Sequence, residues 1–114
     1  MGYENVDVLA GDWRDAFRER GPFDLVFFDG GTNDALQSAN WLAVANLVRP
    51  SGMMVLDDLT PEELWPEGWR GKPDPKRDFA FRSGLFAASE LRTGGNASLL
   101  LMVRTDRAEA AGLA

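Results

Sequence analysis

Phe23-Asp24-Leu25-Val26-Phe27-Phe28-Asp29-Gly30 and Gly52-Met53-Met54-Val55-Leu56-Asp57-Asp58 are two short apolar runs, each closed by acid. Their apolar residues are continuous rather than alternating, which is the pattern of a strand buried on both faces. The stretch between them, Asp34 to Val48, has helical character, so the unit reads strand, helix, strand. Units of this kind pair their strands in parallel through a right-handed connection, which sends both strand ends to one edge of the sheet. Asp29, Asp57 and Asp58 are therefore expected together at the carboxyl edge, where open α/β sheets bind their ligands. Three carboxylates converging there repel one another unless something positive lies between them.

Outward from this unit, Val6-Asp7-Val8-Leu9-Ala10 is a further strand candidate, closed by Gly11-Asp12. Trp13 to Arg20 reads as a short helix with Asp12 as its N-cap, stopped by Gly21-Pro22. Asn33 is positioned to cap the long apolar helix, and Pro50-Ser51-Gly52 reads as the turn into the second strand. Thr60-Pro61-Glu62-Glu63 has the form of a capping box with proline at the first helical position. A Pro/Gly-rich loop over 66–76 leads to a helix predicted from about Asp78 to Phe86. Ser89–Thr93 and Ala97–Arg104, joined by Gly94-Gly95-Asn96, form a hairpin. The Ala-rich tail after Thr105 is expected to fray, and the 114 residues make one α/β domain without repeats.

Composition narrows the chemistry. A net charge of −6, with twelve basic residues scattered along the chain, disfavours a nucleic-acid or anionic-membrane surface. There is no Cys, so thiolate chemistry and disulfides are excluded, and no His, the commonest general base and metal ligand. Acid–base or metal chemistry falls to carboxylates, Lys72, Lys76 or Tyr3. No apolar run approaches the roughly 18 residues that a membrane-spanning helix needs, and Met1-Gly2-Tyr3-Glu4-Asn5 has no signal-peptide character. A cytoplasmic location is the expectation. Lys72, Lys76 and Arg77, the one cluster of basic residues, read as a solvated loop, and Trp65 and Trp69 as surface packing.

The order of elements resembles the second half of a class I S-adenosylmethionine-dependent methyltransferase, over roughly residues 5 to 104. The matching residues are Gly11-Asp12 after a strand, the Phe23–Gly30 run, Leu47-Val48-Arg49-Pro50-Ser51-Gly52, Val55-Leu56-Asp57-Asp58 and the closing hairpin. Within that superfamily the chain is most similar to the small O-methyltransferase-like branch. The resemblance implies a Rossmann-like, mostly parallel sheet with helices on its faces, ending in an antiparallel hairpin. It implies S-adenosylmethionine as cofactor, with Asp12, Trp13 and Asp29 on its side of the site, and Asp29 beside the transferred methyl as the catalytic acid. In metal-dependent members Asp29 and the pair matching Asp57-Asp58 ligate the ion. Hard carboxylate oxygens suit Mg²⁺ or Ca²⁺, which would hold a hydroxyl of a small-molecule substrate and lower its pKa.

Several positions depart from the family pattern. Thr32 stands where metal-dependent relatives carry a lysine base, and no Gly-rich turn for the methionine end of the cofactor precedes Asp12. The family's first half, with two strands that would flank Leu25–Phe28, has no counterpart. Leu25–Phe28 is then an edge strand with an apolar face, an aggregation hazard unless Val6–Ala10 or another chain pairs with it. Self-association, or a partner supplying the missing strands, is therefore expected. The competing functional class is a non-catalytic oligomerisation or binding module, or a fragment, that keeps half of the methyltransferase fold. A phosphoacceptor receiver domain fits less well, because the only lysines fall in a loop rather than at a strand end.

Overall fold

The computed structural model describes residues 5–17, 19–29 and 32–105, the side chains of Thr32 and Asn33 excepted. The turn Gly30-Gly31 and the tail after Thr105 fall outside them. Four strands form one sheet: β1 (Phe23–Phe28), β2 (Val48–Leu59), β3 (Phe86–Gly94) and β4 (Ala97–Arg104), in the order β1-β2-β4-β3. β1 and β2 run parallel, with Leu25 opposite Met53 and Phe28 opposite Leu56. β4 is antiparallel to both of its neighbours, β2 and β3. The strand–helix–strand unit and the closing hairpin thus form as expected, but the sheet is mixed. Only one of its three pairings is parallel, which corrects the mostly parallel sheet, because β4 enters between β2 and β3 from the hairpin.

The helical layer covers one face. Trp13–Ala16 forms α1, shorter than the helix predicted to Arg20, with Phe17 as C-cap. The long helix predicted over Asp34–Val48 is three short pieces: α2 (Thr32–Ala35), a 3₁₀ turn at Ser38–Asn40, and α3 (Trp41–Ala45). Asn33 lies inside α2 rather than capping a helix. A side chain holds the break open, since the Trp41 indole donates to the Leu36 carbonyl at 2.8 Å and substitutes for a helical bond. α4 (Pro75–Arg82) begins three residues earlier than predicted, with Asp74 as N-cap and Pro75 in the first turn. The expected Thr60 capping box is replaced by a 3₁₀ turn at Glu62–Leu64 without a side-chain cap, and Glu63 pairs with Arg92 on β3 instead.

The core lies between this layer and the sheet. Phe28, Met54, Leu56, Leu100 and Met102 from the strands meet Leu36, Val44, Ala45, Phe79 and Ala80 from the helices. Phe79 packs edge-on against Phe86 at 5.2 Å, and Trp41 lies 6.2 Å from Phe79. The residues Pro50-Ser51-Gly52 lie within β2 as an outward kink, not as a turn before it. Between its pairings with Phe23 and Leu25, β2 runs from Val48 to Met53, with Ser51 at φ +68°.

The sequence overstated the burial of β1. It is an edge strand, with Leu25 63% and Phe27 57% exposed. Val6–Ala10 forms no strand and does not pair with it; Val8 is 91% exposed. No helix among the described residues is long and apolar enough to cross a membrane.

Candidate functional site

The parallel register places the ends of β1 and β2 side by side. Phe28 faces Leu56, so Asp29 and Asp57 are the next residues along neighbouring strands at the carboxyl edge. Beyond Leu56 the strand bulges: Leu56 pairs with Leu100 and Leu59 with Ser98, so Asp57 and Asp58 together oppose Leu99 alone. Asp58 adopts φ +64°, in the left-handed region that costs most side chains energy but that Asp tolerates. Lys76, in the first turn of α4, holds this bulge: its Nζ donates to the Asp57 carbonyl at 2.7 Å and to the Asp58 carbonyl at 3.3 Å. The lysine thus satisfies two strand-end carbonyls where the ladder is interrupted.

The edge is therefore acidic as expected. Among the described residues no group of three or more acids is placed to hold a metal ion. The assignment of Asp29, Asp57 and Asp58 as metal ligands therefore gains no support from the described residues.

Behind the bulge lies an ion cluster that the sequence did not reveal. Arg77, 7% exposed, grips the Glu90 carboxylate with two donors, Nε to Oε1 at 2.8 Å and Nη2 to Oε2 at 2.7 Å. Its Nη1 donates to Asp74 at 2.6 Å and its Nη2 also to the Thr60 carbonyl at 2.8 Å. The Ser98 hydroxyl donates to Glu90 at 2.6 Å, so this partly buried acid is satisfied from both sides. The hydrogen bond from Arg77 is the main cause that holds Glu90 below its ordinary value, against the opposing effect of burial. The same bond chiefly raises the Arg77 pKa and keeps the guanidinium charged. Arg77 is thus a buried hub rather than part of a solvated loop. The one sequence signal for it is Asp74-Pro75, a capping acid before proline, which starts the helix early enough to bury Arg77.

Two clefts open on this side. One of about 300 Å³ is bounded by Asp58, Trp65, Trp69 and Lys76. A second of about 570 Å³ lies between Trp65, Lys72 and α4. Trp65 is structural: its indole donates to the Thr60 carbonyl at 2.9 Å and its ring lies under Arg77 at 5.6 Å. Trp69 meets Trp65 edge-on and remains half exposed over the smaller cleft.

The residues expected on the cofactor side, Asp12 and Trp13, lie in and before α1. Asp12 caps α1, accepting from the Arg14 amide at 2.9 Å and pairing with the Arg14 guanidinium at 3.6 Å. Trp13 packs edge-on against Phe28 at 5.6 Å, with Arg14 stacked on its other side, and so stands beside the strand that ends in Asp29. It also lines a cleft of about 380 Å³ with Gly21, Pro22 and Leu47, at the amino end of β1. Asp12 and Trp13 belong to one element, and Asp29 ends the strand against which Trp13 packs.

Comparison with known proteins points to one class of enzyme, the methyltransferases. The chain is 34% identical over 77 residues to mycinamicin VI 2''-O-methyltransferase of Micromonospora griseorubida; the match covers 62% of this chain and 19% of that protein. A methyltransferase relationship follows, and the four-stranded mixed sheet is compatible with part of such a fold. The chain spans about a fifth of the length of the relative it matches. No protein-family model matches it.

Proposed function

We propose that this chain carries the acceptor side of an S-adenosylmethionine-dependent O-methyltransferase acting on a small molecule. The observation that supports it best is the parallel register of β1 and β2, which sets Asp29 beside Asp57 at the ligand-binding edge of a sheet related to a methyltransferase. S-adenosylmethionine would supply an electrophilic methyl group. Asp29 then accepts the proton of an acceptor hydroxyl as that oxygen takes the methyl and the carbon–sulfur bond breaks. Asp58 and the half-exposed Trp69, on the walls of the 300 Å³ cleft, orient the acceptor. Lys76 fixes the Asp57-Asp58 backbone so that the strand end does not shift during binding. No group of three or more acids among the described residues is placed to hold a metal ion, so no step is assigned to one.

The test is calorimetric titration of the chain with S-adenosylhomocysteine. Micromolar binding, weakened at least several-fold in Asp29→Asn, is the expected outcome. Absence of heat at millimolar ligand would overturn the cofactor half of the reading. The second reading, a non-catalytic association module that keeps part of the fold, is favoured by one observation, the exposure of Leu25, Phe27, Met53 and Val103 on the sheet.

A further inference from the structure

Among the described residues only one of the sheet's two faces is covered. On the outer face the strand registers line up two complete rows, Leu25-Met53-Val103-Ala87 and Phe27-Val55-Leu101-Ser89, followed by Leu99-Leu91 opposite the Asp57-Asp58 bulge. Neither complete row contains a charge. Leu25, Phe27, Met53, Leu91 and Val103 are all between 36% and 63% exposed. β4 inverts the usual order of a half-solvated antiparallel strand. Its buried side carries Ser98 and Arg104, both hydrogen-bonded, while Leu99, Leu101 and Val103 point outward.

We propose that this face docks a second copy of the same chain, sheet against sheet, about a two-fold axis. Three observations choose that occupant. The two complete rows are uncharged, so they offer no charge to select a partner of opposite sign. A chain of net charge −6 repels its own copies except through such a neutral surface. The exposed parts of these side chains amount to roughly 500 Å² per copy, so stacking two faces removes on the order of 1,000 Å², the lower bound of a specific interface. Two twisted sheets stack with their strands about 30° apart and roughly 10 Å between them, and an isologous contact of this kind closes at two copies.

The experiment is sedimentation velocity on the full chain at micromolar concentration, alongside Val103→Glu and the control Phe81→Glu. Val103 sits in the middle of the sheet on β4, away from the free edge of β1, whereas Phe81 is exposed on α4. Circular dichroism of each variant checks that the fold persists. Wild type and Phe81→Glu should sediment as two copies of a 12.5 kDa chain, and Val103→Glu as one. Should Val103→Glu prove unfolded, Leu101→Ser, milder and on the same face, takes its place with the same expected loss of dimer. A monomeric wild type overturns the proposal. So does a dimer that survives the face substitution, which would place the contact at the β1 edge, and so does an open-ended assembly.

Discussion

Arg77 shows how one side chain ties together parts far apart in sequence. It joins α4 to β3 through Glu90 and to the end of β2 through the Thr60 carbonyl. Removing the carboxylate that takes two of its donors leaves Asp74 as its close acidic partner, and Glu90→Gln should lower stability by about 2 kcal/mol at neutral pH in urea unfolding. The pH dependence has a definite sign. Glu90 titrates lower in the folded chain than its ordinary value of 4.5, so its contribution is complete above that pH. The contribution is lost as pH falls through the lower, folded value. The gap between wild type and Glu90→Gln should therefore narrow below pH 4.5. None of this was legible in the sequence, because Arg77 and Glu90 are thirteen residues apart and on elements whose packing no local pattern specifies.

At the scale of elements, legibility followed the range of the forces. The two apolar runs and the Gly94-Gly95-Asn96 hairpin carry their own local instructions, and both formed. The apolar stretch Asp34–Val48 did not become one helix, since composition reports burial and not continuity. The bond from Trp41 to Leu36 instead stabilises a broken path. Likewise the carboxyl-edge location of Asp29 and Asp57 was readable from the strand–helix–strand pattern. The bulge at Asp57-Asp58 was not, because it arises from the pairing with β4. Pro50-Ser51-Gly52 was read as a turn although it lies within β2, and the kink explains why glycine stands there. A Cβ on Gly52 would lie 2.7 Å from the Val48 side chain, 2.9 Å from the Arg49 carbonyl and 3.0 Å from the Asp24 carbonyl. Backbone oxygens cannot give way as flexible side chains do. Gly52→Ala should cost about 2 kcal/mol, measured as a lowered urea midpoint with an unchanged slope.

For the whole molecule the decisive fact is a sheet that, among the described residues, is layered with helices on one side. Charge acts on it globally: copies that associate through a neutral face still carry six excess negative charges each. Screening that repulsion should strengthen association. Raising salt from low ionic strength to about 0.15 M should lower the dimer dissociation constant several-fold, as read by sedimentation equilibrium. An interface built on ion pairs would respond in the opposite direction.

The alternation along β4 gives the strand two audiences. Leu100 and Met102 answer to the helices that close the core, while Leu99, Leu101 and Val103 answer to whatever lies beyond the protein's own boundary. Mutational drift at neighbouring codons of one short segment would thus be policed by separate tribunals, one checking whether the chain folds and the next whether it keeps company.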